Sequence, residues 1–418
     1  MIEARSIPSV SIKDTFASFS YPNYRLWFFG QLISLIGTWM QSAAQGYLIF
    51  ELTRSPEYLG YVSFAAGLPS WFFTLFAGAI ADRMSRRTLM IITQSGMLIL
   101  AFILAALTFS GVVQWWHILI LAFLLGICNA FDAPARQAFV AELVDRHSLT
   151  NAIALNSTMF TSAIVVGPAV GGLAYAWVGP GWCFTLNGIS FIAVIVALLL
   201  MKFKPTTPNP AHNPATRKAI WKETIEGLKY VAHSPTLRLL ISNLGVTTVF
   251  GLGIATLIPS WAVEILHGDS TTNGFLLSVR GIGSLAGALM IATLGRFKMR
   301  GRLWTYGSFA MPVFILIFSF LRWLPLSLLA MLGIGWGFVL INNVSNALVQ
   351  THIPDELRGR VMGIYTLVFF GSMPVGSLIA GNMAGWLGQP TTLIINASIL
   401  LVFATLTLWR VPQLRAME

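Results

Sequence analysis

The sequence predicts an all-α polytopic membrane protein. Three observations carry that prediction: twelve long apolar segments, a scarcity of charge, and basic residues gathered in alternate connections. The chain is 56% hydrophobic and only 10% charged, against roughly 25% charged in a soluble domain. Too few charges remain to coat a globule of 418 residues. A helix of about 20 apolar residues crosses a bilayer. Spans are expected near 26–50, 59–80, 88–111, 115–139, 150–177, 181–202, 236–264, 272–294, 303–321, 325–350, 361–386 and 391–410. Lipid leaves no backbone group a solvent partner, so each span must be a helix. Long runs with weak alternation exclude a membrane β-barrel.

The first 25 residues lack a short apolar core before a cleavage site, so no cleavable signal peptide is expected. Cys128 and Cys183 both fall inside spans and suggest neither disulfide nor metal site. With twelve spans both termini share one side. That side collects Arg83, Arg86, Arg87, Arg136, Arg146, the cluster from Lys202 to Arg238, Arg296 to Arg302, Arg358, Arg360 and Arg410. The opposite connections hold only Arg54 and Arg322. This is the positive-inside bias, and it predicts an inner (cell) membrane protein with both termini cytoplasmic. The net charge of +11 is then a topological signal, and no nucleic-acid partner is expected.

The chain divides in the middle. Pro205, Pro208, Pro210 and Pro214 mark a polar, semi-extended linker. Residues 217–232 then read as an amphipathic helix, with Trp221, Ile225 and Leu228 on one side and Lys218, Lys222 and Lys229 placed to reach lipid headgroups. The expected organisation is a six-helix bundle over 1–202, a linker with its amphipathic helix over 203–234, and a second six-helix bundle over 235–418. The halves echo each other. Ala141-Glu142-Leu143-Val144-Asp145 follows span four and His352-Ile353-Pro354-Asp355-Glu356 follows span ten; Gly167-Pro168 in span five matches Met373-Pro374 in span eleven. Weak repetition of this kind marks transporter halves related by pseudo-symmetry.

Several motifs carry function. Gly78-Ala-Ile-Ala-Asp82-Arg83-Met-Ser85-Arg86-Arg87 connects spans two and three. With it, the chain resembles the major facilitator superfamily over nearly its whole length. Ser85 stands where that family usually has glycine. The resemblance implies a fold of twelve helices in two pseudo-symmetric bundles. It also implies that Asp82 caps span eleven and that the later arginine pairs with an acid in span four, for which Asp132 is the natural partner of Arg86. A carboxylate is favoured near a helix N-terminus, and such a cluster latches the halves together. Gly78, Asp82, Arg83, Arg86, Arg87 and Asp132 are therefore candidate gating residues. Gly167, Pro168, Gly171 and Gly172 resemble the span-five motif of exporters, where small residues admit close helix approach. Asp132-Ala-Pro-Ala-Arg136, Asn151 to Asn156 and Pro354 to Val361 look like the enterobactin-exporter branch and related efflux proteins.

Polar residues inside spans are candidates for the substrate cavity. Gln31, Ser34, Thr38, Gln41 and Gln45 recur at three- and four-residue steps along span one. Asn342 and Asn346 do so in span ten, Asn243 and Thr247 form a shorter pair in span seven, and Tyr365 lies deep in span eleven. Hydrogen bonding between helices is the competing reading for each. Arg280 is the one basic residue deep in a span. Burial of arginine there costs about 2.5–3.5 kcal/mol on insertion scales, which calls for a wet cavity or a counter-charge. Trp115, Trp116, Trp177, Trp182 and Trp323 lie near span ends as interfacial anchors. Asp132, Glu264 and Glu51 are the candidate proton-coupling acids, although no acid pair lies centrally.

The reading is a secondary active exporter working by alternating access, with protons as the coupling ion and a bilayer as its surroundings. The substrate is an amphipathic, anionic or aromatic small molecule, siderophore-like by resemblance; a broad multidrug or macrolide efflux transporter is the alternative. A lipid flippase is a further rival. No cofactor or metal is expected, no phosphate-binding loop occurs, a catalytic residue cluster is absent from the spans, and a monomer is expected.

Overall fold

The computed structural model describes residues 16–81, 84–202, 217–294 and 299–411. These residues form helices, with no strand among them. The first six spans are α1 (Pro22–Thr53), α2 (Pro56–Ala81), α3 (Arg86–Phe109), α4 (Trp115–Leu143), α5 (Leu149–Val178) and α6 (Pro180–Leu200). A shorter helix, α7 (Arg217–His233), follows. Spans seven to twelve are α8 (Pro235–Glu264), α9 (Ser270–Leu294), α10 (Arg300–Phe320), α11 (Leu324–Thr351), α12 (Asp355–Leu387) and α13 (Gln389–Arg410). Ten of these, α3 to α6 and α8 to α13, are individually long and apolar enough to cross a membrane; α1 and α2 pack within the same bundle. Prolines set several starts, at Pro22, Pro56, Pro180 and Pro235, where a missing N–H costs nothing. Ser85 caps α3 by accepting from the Thr88 amide at 3.1 Å, with φ −62°. That is an extended, unstrained conformation, so the loop does not require the glycine usual at this position.

Helix packing repeats between the halves. In the first, α1 packs on α5 and α6, α2 on α4, and α3 on α4 and α6. In the second, α8 packs on α12 and α13, α9 on α11, and α10 on α11 and α13. The same partners recur at equivalent positions, which is the pseudo-symmetry expected of the fold. Two seams join the halves, α2 with α12 and α5 with α9, and they too are equivalent.

Both seams are closed on the side opposite the termini, here the far side. A Cβ on Gly172 of α5 would lie 2.5 Å from the Ser270 carbonyl oxygen of α9, and one on Gly274 would lie 2.4 Å from the Pro168 oxygen. The backbones touch there because both residues are glycine. In the other seam, Gly60 meets Ser377 and Gly381, and Gly67 meets Pro374. Hydrogen bonds cross between halves at Tyr61 to Asn382 (3.1 Å), Ser270 to the Gly172 carbonyl (3.1 Å) and Asn273 to the Ala43 carbonyl (3.3 Å).

Toward the terminal side the same faces part. On α5, Ala154, Ser157 and Thr158 continue the face of Val165, Pro168 and Gly172, and all three are exposed. On α12, Leu367 is 53% exposed, and a Cβ on Gly363 would meet nothing within 4 Å. The two halves therefore form a V that opens to the terminal side.

Span seven is less regular than its sequence suggests. α8 carries a π-turn, Thr248–Leu252, between α-helical segments. Such turns interrupt helices mostly at functional places. α7 docks on α12 through Arg360 to Glu226 at 2.8 Å and through Gly227, which faces Arg360 and Ile364. Its Ile225 and Leu228 remain exposed, on the side expected to face lipid. Trp177 and Trp323 are exposed at helix ends, as interfacial anchors are.

Candidate functional site

Arg280 lies near the middle of α9. Its helix presents three faces. Gly281 and Gly274 face α5, Gly283 and Gly287 face α11, and exposed Phe275, Ile282 and Leu289 mark the lipid side. At 100° per residue, Arg280 projects opposite that lipid side, into the arc between α5 and α11. It is half-buried, and its guanidinium has no hydrogen bond or ion pair with a described residue. Ser284 returns its hydroxyl to the Arg280 carbonyl at 3.2 Å, and Gly335 of α11 packs directly on that carbonyl. The backbone here is held from two sides while the cationic end stays free of described partners.

The polar stripe of α1 divides. Gln41 accepts a hydrogen bond from Asn187 of α6 at 2.7 Å, and Gly37 packs on Asn187 and Ser190. α6 is an outer helix of the half, so Gln41 is tied away from the interior. The stripe is wide enough that its Gln41 edge faces α6, where a buried amide needs a partner. Gln31, Thr38 and Gln45 lie closer to the interior bisector of α1. Gln31 is buried with its side-chain oxygen unpartnered among the described residues, Thr38 bonds the Ser34 carbonyl at 2.9 Å, and Gln45 is half-buried.

In the second half, Tyr365 of α12 donates to Asn342 of α11, at 2.9 Å to the carbonyl and 3.1 Å to the side-chain oxygen. Asn346 accepts from Gln350 at 2.6 Å. Asn243 is buried and accepts from Thr247 of its own helix at 3.4 Å. The structure thus brings Asn342 and Tyr365 together and leaves Asn243 in a local contact.

Asp82 and Arg83 lie outside the described residues, and Gly78 falls in the last turns of α2, whose surroundings are likewise not described. Arg87 donates to the Leu199 carbonyl at 3.1 Å. Arg86 does not pair with Asp132. It binds Glu142 at 2.7 Å and the Ala138 carbonyl at 3.2 Å. Asp132 sits level with Thr93 and Gln94, which both donate to its Oδ1 at 3.0 Å. The reason is depth. Seven residues separate Arg86 from Thr93, about 10 Å along the helix, and the antiparallel α4 brings Glu142 to the level of Arg86 instead. Asp132 is 1% exposed. Its Oδ2 has no hydrogen-bond partner among the described residues, with Arg136 Nε 3.8 Å away. Thr93 and Gln94 escaped the sequence reading, although a glutamine in an otherwise apolar third span is a visible signal.

The other two acids are engaged at the far ends of their helices. Tyr175 of α5 donates to Glu51 of α1, and Gln389 of α13 donates to Glu264 of α8 at 2.5 Å. The exporter-like motif has two faces: Gly167 and Gly171 pack on α1 at Trp39 and Met40, whereas Pro168 and Gly172 pack on α9 across the seam. The motif holds α5 against a fixed neighbour on one side and a separable one on the other.

Among known proteins, a family model described as transmembrane secretion effector matches residues 13–418. The multidrug efflux pump Tap of Mycolicibacterium fortuitum is 27% identical over 398 residues, covering 93% of this chain and 96% of its own. The staphyloferrin A transporter of Staphylococcus aureus is 24% identical over 365 residues, with 87% and 90% covered. The enterobactin exporter EntS of Shigella flexneri is 24% identical over 404 residues, with 95% and 93% covered. Among solved structures, the peptide transporter POT superposes with TM-score 0.76 at 13% identity, covering 98% of this chain and all of that one. The nucleoside transporter NupG gives 0.72 at 12% identity, with 93% and 98% covered. At such identities the structural likeness speaks to fold alone.

Proposed function

Because the chain belongs to the transmembrane secretion effector family of the major facilitator superfamily, and is a multi-pass membrane transporter rather than an enzyme, we propose that it exports an amphipathic anionic small molecule by proton-driven alternating access. The observation that carries this reading is Arg280: a cation at mid-membrane, directed into the interior, without a described counter-charge. The expense of holding arginine at that depth is offset when an anion from the cytoplasm joins it. The positive-inside pattern makes the terminal side cytoplasmic, so the V described above is the loading state, with the far-side seams closed against back-flow. The halves, which meet chiefly at two seams, are the bodies that rock about the cavity.

Asp132 is the acid best placed to carry the proton. It is buried, and among the described residues one carboxylate oxygen has no hydrogen-bond donor and faces only Arg136 at 3.8 Å, so a proton there displaces one long ion pair and no hydrogen bond. Glu51 and Glu264 already hold donors at the far side and serve less readily. A siderophore-like substrate accords with the likeness to two siderophore transporters. A broad-specificity exporter is the second reading, favoured by the likeness to a multidrug efflux pump.

The test is transport into inverted vesicles under an imposed pH gradient, with one acidic and one neutral compound, normalised to protein in the membrane. Arg280→Ala is expected to abolish uptake of the acid and to spare more of the neutral compound. Arg280→Lys should recover only part, since lysine keeps the charge but loses the planar fork that grips two oxygens. Equal residual transport of both compounds by Arg280→Ala removes Arg280 from substrate recognition.

A further inference from the structure

Opposite Arg280, the interior wall has a different character. A cavity of about 330 Å³ lies where α2, α8 and α12 meet, lined by Trp71, Val249, Leu367, Val368, Gly371, Ser372 and Val375. On α12, exposed Phe370 and Met373 mark the lipid side. Gly371, Ser372 and Val375 lie about half a turn away, on the side that Tyr365 and Val368 share with the interior contacts to α11 and α8. Most of its α12 lining therefore faces the central space, with the exposed Leu367 at its open rim. The cavity stands at the point where the α2–α12 seam changes from closed to open: Gly67 packs on Pro374 just beyond it, while Leu367, at its other edge, is exposed.

Three features give this wall a recognisable chemistry. Trp71 supplies an aromatic platform, steadied edge-on by Phe64 with ring centroids 6.2 Å apart. Its indole N–H is buried and has no partner among the described residues, although buried indoles ordinarily find one. Val249 comes from the π-turn of α8, whose backbone rests against Gly376. The remaining wall is leucine, valine, glycine and one serine hydroxyl, which leaves it largely apolar. An apolar cavity of about 150 Å³ takes one benzene ring, so the volume here suits a group of about two fused rings.

We propose that this cavity is the apolar half of the substrate site. It takes a flat aromatic group of the transported anion, stacked on Trp71. This deepens the export reading and rests on it: Arg280 holds the anionic end against α9, and the α2–α8–α12 wall holds the ring. A ring wedged at this point also sits where the seam must zip shut for the halves to rock, so its release and the opening of the far side are one motion.

The experiment uses inverted vesicles containing the full-length protein, with 2-naphthoate as the aromatic acid and hexanoate as the ring-free acid. Trp71→Ala is expected to lower the preference for naphthoate over hexanoate about tenfold, Trp71→Phe to restore most of it, and Ser372→Leu, which fills the cavity, to lower it as Trp71→Ala does. If all three variants keep the wild-type preference while Arg280→Ala abolishes uptake of both acids, the export reading stands and the apolar subsite falls. If the wild type accumulates neither acid, the export reading falls, and the subsite is judged by photolabelling with a naphthyl azide and peptide mapping. Adducts on Trp71, Gly371 or Ser372 that 2-naphthoate suppresses uphold it. Adducts confined to the lipid-facing Phe370 and Met373 overturn it.

Discussion

A single methyl group at Gly172 should shift this transporter out of its terminal-side-open arrangement. In Gly172→Ala the new Cβ would lie 2.5 Å from the Ser270 oxygen and 3.1 Å from the Cα atoms of Thr271 and Gly274. All three are backbone atoms of α9, so no side chain can swing aside. Relaxed contacts need about 3.5 Å, and the helices must part by roughly 1 Å. Overpacking of this kind costs about 1–3 kcal/mol, and the Ser270 hydrogen bond to the Gly172 carbonyl, 3.1 Å long, weakens with it. Because α5 and α9 belong to different halves, the cost falls only on the state in which this seam is closed. At 1.4 kcal/mol per tenfold, the population ratio should move about 5- to 150-fold toward the far-side-open state. Gly171→Ala is the control. Its Cβ would meet the Met40 oxygen at 2.8 Å, a slightly milder backbone crowding within one half, so it should cost stability without shifting the ratio. The assay is maleimide labelling of single cysteines in a background with Cys128 and Cys183 replaced: Thr158→Cys reports opening on the terminal side, and Asn382→Cys on the far side. Gly172→Ala should slow the first and speed the second. Unchanged labelling at both, or an equal shift in Gly171→Ala, refutes the reasoning.

Asp132→Asn should abolish pH-gradient-driven uptake into vesicles while leaving substrate exchange at zero gradient; loss of exchange as well would show a structural defect rather than a lost proton carrier. Gln41→Ala and Asn187→Ala should each lower unfolding stability by about 1–3 kcal/mol, with coupling in the double variant and an unchanged apparent KM; a raised KM in Gln41→Ala would return that residue to the substrate site. A cysteine at Arg54 or Gly268 should react with an impermeant thiol reagent outside intact cells and one at Ser85 or Pro210 should not; outside labelling at Pro210 overturns the orientation drawn from the loop arginines. The Arg86–Glu142 pair, about two-fifths exposed at both ends, should contribute at most about 1 kcal/mol, so a large loss of thermal stability in Glu142→Ala would mean that the pair does more than the geometry shows.

The helices, their number, the class of protein and the depth of Arg280 were legible in the sequence, because lipid imposes its constraint on every span separately. Apolar length alone decides that Trp115–Leu143 or Leu324–Thr351 crosses a membrane, and no tertiary contact is needed to know it. The Gly167-Pro168-x-x-Gly171-Gly172 motif was legible as a place of close approach, since only small residues permit one. Which helix is approached was not: Gly171 meets α1 and Gly172 meets α9, and adjacent residues with one chemistry acquired different roles from their angle alone. The same holds for Gln41, which faces α6, and Thr38, three residues earlier, which does not. Arg86 took Glu142 over Asp132 because antiparallel packing sets relative depth, a quantity absent from any motif. The apolar wall at Trp71 needed three helices from two halves to assemble it. Sequence periodicity tells which residues share a face; only packing tells what that face meets, because the partner's rotation and height are properties of the pair.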